Sequence, residues 1–259
     1  MKILIAIPAF NCAPQIARLL DRFADLTEKS VHEIWIIDNG STDETVAVAI
    51  SKILNLKLTN IKVLQNPTNV NLGGTQKRVF NEAQKCGFSH VLIFHGDDQA
   101  SAHDVLPIID FSQMNSDCTV LGSRFMRNST LVNYDKKRII GNWTLNLLFS
   151  MRCRKWLTDL GSGLNLFRLQ DFEGSNYLNF TNGMAFNYEV IIDFVKRKIN
   201  FLYYPITWTE QDQVSNARNA QVFLKALRIL LLPDRHTNNQ KLPNQETIYK
   251  DFTCLLVIE

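Results

Sequence analysis

The segment His95-Gly-Asp-Asp-Gln99 places two adjacent carboxylates, an imidazole and an amide within five residues. In an extended backbone successive side chains alternate, so His95, Asp97 and Gln99 would share one face and Asp98 the other. Asp97 and Gln99 then offer the hard oxygen ligands that Mg²⁺ or Mn²⁺ prefers. Such an ion could bridge two phosphates and neutralise the charge on a departing diphosphate. Taken alone, the same acids serve equally well as a turn capping a short helix at Ala102–Asp104. Three other polar segments bear on the choice. They are Pro8-Ala-Phe-Asn11, Asp38-Asn-Gly-Ser-Thr-Asp43, and the run from Asn66 that ends in Gly73-Gly74. The last is a glycine-containing helix start, able to bring backbone N–H groups close to an anion. Lys136-Lys137-Arg138 is either a solvated helix start or an anion-binding cluster.

The elements that must position these groups alternate between two hydrophobic periods. Ile3-Leu-Ile-Ala-Ile7 suits a strand buried on both faces. Ile16, Leu19, Leu20, Phe23 and Leu26 follow Pro14 at helical spacing, with the proline in the first turn, where its missing N–H costs nothing. Ile34–Ile37, Ile61–Leu64 and Val91–Phe94 predict three more strands, with a helix after a capping box at Ser41–Glu44 and another after Gly74. Beyond Asp98 the pattern predicts helices over 104–111, 139–151, 186–198 and 222–232, and strands over 118–125, 164–167 and 201–208. The alternation points to an α/β fold with a mainly parallel sheet. Ligands of such sheets bind outside the carboxyl ends of the strands. The polar segments fall there and should converge on one rim, which favours a nucleotide pocket and a metal at Asp97. A single domain is expected over 1–232, with a polar loop and tail over 233–259.

Composition excludes several classes. Lys and Arg total 28 against 25 Asp and Glu, too small an excess for a nucleic-acid-binding domain. Five scattered cysteines have no zinc-clamp or redox spacing, which suits inert thiols in a reducing cytoplasm. No apolar run approaches the ~20 residues that span a bilayer. A Rossmann dehydrogenase is disfavoured because no G-x-G-x-x-G follows the first strand. A nucleotidyltransferase would carry a basic glycine-rich loop where this chain has Ala9-Phe-Asn-Cys. Trp35, Trp143 and Trp208 are expected in the core, and His32, His90, His103 and His236 at the surface or in turns. Glu189 is expected to hydrogen-bond a neighbouring loop.

Taken in order, Ile7-Pro-Ala-Phe-Asn11, Ile37-Asp-Asn-Gly-Ser-Thr-Asp43, Asn71-Leu-Gly-Gly74, His95-Gly-Asp-Asp-Gln99 and Gly122-Ser-Arg-Phe125 resemble the family 2 glycosyltransferases. Gly141-Asn142, Asp159-Leu-Gly-Ser-Gly163 and Phe186-Asn-Tyr-Glu189 extend the likeness, as do Pro205-Ile206 and Ser215-Asn216. It is strongest to the dolichyl-phosphate mannose synthase-like branch and covers roughly 1–232. The resemblance implies a GT-A-type nucleotide-binding sandwich, a mixed, mainly parallel central sheet flanked by helices.

It further implies an inverting, metal-dependent transfer of a sugar from a nucleoside diphosphate to a polyprenyl phosphate or a glycan. Pro8, Asn11, Asp38, Gly73, Gly74 and Asp98 would belong to the nucleotide site, with Asp38 on the base or ribose. Asp97 would be the second acid of the family's Asp-x-Asp motif, and Gln99 a further metal contact. Arg124, with Lys137 or Arg138, would receive an acceptor phosphate, since an arginine fork suits phosphate oxygens. Asp159 would orient the sugar or take a proton. With a glycan acceptor Asp98 is a second candidate base. Two departures stand out: His95 where the motif begins with Asp, and Asn39 where the family has Asp. The acid lost at 95 points to weakened or altered metal binding, although a neutral His95 can still ligate Mn²⁺. The two departures together point to an alternative in which a nucleotide-sugar pocket persists without catalysis. A lipid acceptor implies peripheral contact with the cytoplasmic membrane face. The helix over 222–232 could supply it, although packing against the sheet is the stronger expectation.

Overall fold

The first apolar run forms β1 (Ile3–Ala9), buried along its whole length. The computed structural model of the protein describes residues 1–24, 31–212, 219–231 and 251–259. Leu26, Ser215-Asn216, His236 and the polar stretch 233–245 lie outside those residues. After β1 come α1 (Ala13–Phe23), β2 (Glu33–Asp38), α2 (Thr45–Leu56), β3 (Ile61–Gln65), α3 (Asn71–Lys85) and β4 (His90–Phe94). β1 lies between β2 and β4, and β3 pairs with β2, all parallel. The second half supplies α4 (Val105–Met114), β5 (Thr119–Ser123), β6 (Thr130–Val132), α5 (Lys136–Cys153) and β7 (Leu164–Arg168). It continues with α6 (Phe186–Lys196), β8 (Phe201–Pro205), β9 (Thr207–Thr209), α7 (Asn219–Leu231) and β10 (Thr253–Ile258).

One eight-stranded sheet results, in the order β10-β3-β2-β1-β4-β7-β5-β8. β7 runs antiparallel to both β4 and β5, and β10 antiparallel to β3. The two-residue period of β1 divides the core. Ile3, Ile5 and Ile7 face a layer built by α1, α2 and α4, whereas Leu4 and Ala6 face α3, α5, α6 and α7. That alternation makes the strand a continuous apolar run in sequence, as burial on both faces requires.

Several details differ from expectation. Thr253–Ile258, within the stretch expected to be tail, adds an edge strand, and the neighbouring Phe252 lies under the Arg78 guanidinium of α3 at 4.4 Å. The strand expected over 201–208 breaks at Ile206, so that β9 leaves the main sheet and pairs with β6. No capping box opens α2. Asp43 instead accepts from the N–H groups of Thr45 and Ala13, tying the starts of two helices together. His90 is buried rather than in a surface turn, with its ring nitrogens on Ser89 Oγ and the Asp117 carbonyl. Trp35 and Trp208 are core residues, but Trp143 is 60% exposed on α5. All five cysteines are free thiols. Among the described residues no helix is long and apolar enough to cross a membrane.

Candidate active site

Four strand ends are knit together at the carboxyl edge by backbone hydrogen bonds. Asn39 N–H donates to the Ala9 carbonyl at 2.8 Å and Asn66 N–H to that of Asp38 at 2.8 Å. Gly96 N–H donates to the Pro8 carbonyl and His95 N–H to that of Gly163, both at 2.9 Å. A Cβ at position 96 would lie 3.1 Å from the Pro8 oxygen, so glycine permits that close approach. The edge encloses a cleft of about 770 Å³ that takes in Pro8, Asn11, Asn39, His95, Asp97 and Gln99. Convergence of the first, second and fourth strand ends on one rim is therefore observed.

His95, Asp97 and Gln99 do share the cleft side, but through a turn and not an extended strand. Asp98 adopts a left-handed backbone, φ +57°, a conformation that aspartate tolerates better than most residues. It thereby turns its carboxylate into the protein, where Arg22 Nη1 donates at 2.8 Å and Arg18 Nε at 3.2 Å. The structure thus separates Asp98 from the nucleotide-binding and catalytic set and makes it an anchor for α1. Burial pushes its carboxyl up while Arg22 and Arg18 pull the other way. The Asp97 carboxyl is also pushed up by burial, against the pull of His95. Burial lowers His95 and keeps its ring neutral. The ring packs on Gly163, where a Cβ would come within 2.8 Å of Nδ1. Its Nε2 is shielded and has no hydrogen-bond partner among the described residues.

No group of three His, Cys, Asp or Glu side chains that could hold a metal occurs among the described residues. Of the expected metal contacts, Asp97 and Gln99 bring oxygen donors to the cleft. One carboxylate and one amide fit Mg²⁺ or Mn²⁺ when substrate phosphates and water complete the shell, and a cation beside Asp97 would favour the ionised carboxylate that desolvation opposes.

Asp38 does not line the cleft. It is 1% exposed and accepts from Gly40 N–H and Ser41 N–H, both at 3.2 Å, and from Gln65 Nε2 at 2.9 Å. Asn39 takes the cleft wall. Its Oδ1 accepts from Asn66 Nδ2 and Val70 N–H, and its Nδ2 donates to Asn69 Oδ1 at 3.1 Å. An aspartate could accept the first two bonds but not donate the third, which accounts for the departure at 39.

Gly73 and Gly74 are packing glycines and not a phosphate cradle. A Cβ at 73 would stand 2.6 Å from Phe186 Cβ and 2.7 Å from the Thr181 carbonyl oxygen. Lys77, one turn on, fastens the same segment: its ammonium donates to the carbonyls of Leu178 and Phe180 and to Asn182 Oδ1. Burial lowers that ammonium to about 8. Glu189 Oε2 accepts from Thr181 N–H at 2.6 Å, the loop contact expected of it. The segment so held carries Met184 to the cleft. Gly73→Ala should therefore cost about 1–3 kcal/mol by overpacking, measured by urea denaturation, and weaken nucleotide binding through the displaced loop.

Arg124 is likewise not free to receive a phosphate. Its Nε and Nη2 donate to the two Asp159 oxygens at 2.8 Å each, Nη2 also reaches the Gly161 carbonyl, and Nη1 reaches Tyr134 Oη. Burial alone would lower the guanidinium, but Asp159 holds it above its usual range. Neither Arg124 nor Asp159 lines the cleft. Of the other two basic candidates, Lys137 is exposed at the start of α5, whereas Arg138 lines the cleft and pairs with Glu210. Sequence reading missed Glu210, Asn69 and Asn133 on the cleft wall. Only Glu210 had a signal, as the acid immediately after the closing strand.

Residues 4–176 match the sequence profile of glycosyl transferase family 2. The chain belongs to that family. A dolichyl-phosphate beta-glucosyltransferase of Saccharomyces cerevisiae is 27% identical over 80% of this chain and 67% of its own length. An undecaprenyl-phosphate mannosyltransferase of Micrococcus luteus is 23% identical over 82% and 85% respectively. An uncharacterized protein of Methanocaldococcus jannaschii is 26% identical, and the match spans 64% of its length. Among solved structures, glucosyl-3-phosphoglycerate synthase of Mycobacterium tuberculosis, in complex with Mn²⁺, UDP-glucose and phosphoglyceric acid, superposes with a TM-score of 0.61. That match is at 15% identity and covers 89% of this chain and 78% of the other. The family 2 chain thus has the GT-A sandwich, with its mixed, mainly parallel sheet between helical layers.

Proposed function

We propose that this family 2 protein transfers a sugar, with inversion, from a nucleoside diphosphate to a polyprenyl phosphate, in the cytoplasm or at its membrane face. Residues 1–232 would form the body of the transferase domain, with β10 added to its sheet edge. The observation that carries the reading is the placement of Asp97 and Gln99 on one cleft wall, beside Pro8, Asn11 and Asn39. The Mn²⁺ and UDP-glucose complex of the mycobacterial structure supports a divalent cation and a nucleotide sugar, and the two polyprenyl-phosphate relatives support the acceptor.

Asp97 and Gln99 would hold the cation, which when bound supplies positive charge against the leaving diphosphate. Pro8 and Asn11 would border the nucleoside, and Asn39, with the loop that Asp38 shapes, would complete its pocket. His95 stays neutral against Gly163 and adds no charge of its own. Arg138, with Lys137 nearby, would receive the acceptor phosphate once Glu210 yields its place. A phosphate acceptor is already an anion, so no general base is required.

A panel of nucleotide sugars with lipid-phosphate and glycan acceptors tests this directly. Product with lipid phosphate is expected. Arg138→Ala should raise the KM for that acceptor by about tenfold, the loss of one charge-assisted contact, while leaving UDP binding unchanged. The lone carboxylate in the donor set favours one second reading, a nucleotide-sugar-binding protein with weakened or lost catalysis. UDP affinity with no product from any acceptor would select it.

A further inference from the structure

We infer that the outward face of α5 docks onto an anionic lipid bilayer and turns the mouth of the cleft toward it. Ile140, Trp143, Leu147 and Met151 are 67%, 60%, 50% and 60% exposed. They recur every three or four residues and so form one stripe, while Leu145 and Phe149 of the same helix face the core. The stripe is about 16 Å long at the helical rise. Trp156, 72% exposed, stands just beyond its end. A contiguous apolar face of this kind marks an interaction surface, and exposed tryptophan suits the lipid headgroup boundary.

Charge selects the partner. From 136 to 155 the chain has six Lys and Arg and no Asp or Glu. Lys136 and Lys137 stand at one end of the stripe and Arg152 and Arg154 at the other. At that second end Arg152, Arg154 and Lys196 line a cleft of about 590 Å³ together with Met151, Ile192 and Leu230. Cationic groups above an apolar floor match an anionic headgroup and the start of its acyl chains. A second copy of this chain would instead bring like charges together. The N-terminal turn of α5 carries Arg138 into the catalytic cleft, so a bilayer on this face lies beside the acceptor entrance. Docking stands on these residues alone; the choice of a lipid-borne acceptor rests on the proposed transfer.

The test is flotation of the full chain with phosphatidylcholine vesicles, with and without phosphatidylglycerol, beside tryptophan emission and size-exclusion chromatography. Retention on phosphatidylglycerol vesicles, weakened by salt, and a blue-shifted emission are expected. The Trp143→Ser, Leu147→Ser double variant should lose about tenfold or more in vesicle affinity, while Trp143→Phe retains most of it. UDP binding should be unchanged in both variants, which shows them folded. No retention of the wild type, or equal retention of the double variant, overturns the proposal. So does a dimer that the double variant abolishes, because a second copy would then cover the face. Failure of the wild type to bind UDP would instead sink the transferase reading and leave the docking intact.

Discussion

Asp97→Asn is expected to reduce sugar transfer by about 10³-fold or more, the scale on which removal of a principal electrostatic stabiliser acts. Urea stability should stay within about 1 kcal/mol of wild type or rise slightly, because the exchange replaces a half-buried carboxyl, whose ionised form desolvation disfavours, with a neutral isostere. The expected effect is large because the donor set is thin. His95 cannot share the charge, since burial keeps it neutral and its ring is wedged against Gly163. Asp98 cannot replace it, since Arg18 and Arg22 already hold that carboxylate. Gln99→Ala should lie between, about tenfold, because an amide oxygen contributes a dipole and no net charge. Steady-state turnover titrated with Mn²⁺ checks both variants. Full activity in Asp97→Asn at saturating donor would remove the metal from the mechanism, whatever the fold.

The elements around this site were legible because each carries a strong local signal. β1 is an isoleucine-rich run that closes on Pro8-Ala9, and α1 repeats its apolar residues at helical spacing from Ile16 to Phe23. Placement of the strand ends followed from topology alone, since parallel β-α-β units bring successive carboxyl ends to one edge. What was not legible depends on partners distant in sequence. Whether Arg124 faces an acceptor or a buried acid is decided at Asp159, 35 residues on. Whether Gly73 cradles an anion or admits Phe186 is decided by a loop more than a hundred residues away. Asp38 and Asn39 exchange roles because the turn at Gly40, φ +79°, lets two backbone N–H groups cap the first carboxylate. β10 escaped notice for the same reason: six residues after a polar stretch show a strand only once β3 offers an open edge.

Asp159→Ala should cost about 3–5 kcal/mol of folding stability, the penalty for leaving a buried charge without its partner. Arg124 is 7% exposed and Asp159 2%, so water cannot replace the lost contacts cheaply. The Arg124 guanidinium also lies 5.1 Å from the Trp208 ring, and Trp208 and His95 both face Gly163. Loosening the pair should therefore reach the cleft wall behind Asp97. The companion variant Arg124→Met, Asp159→Leu removes both charges and keeps apolar volume. Its stability should exceed that of Asp159→Ala, because pairs of this kind contribute little net energy beyond avoiding an unpaired ion. Urea midpoints for wild type, Arg124→Met, Asp159→Leu and the double variant form the cycle that measures this. A catalytic Asp159 predicts a different pattern: Asp159→Asn would lose turnover with its midpoint unmoved, and the charge-free double variant would be inactive yet stable. If Asp159 instead braces the floor beneath His95 and Asp97, activity across the four proteins should track the midpoint, and the double variant should recover part of both.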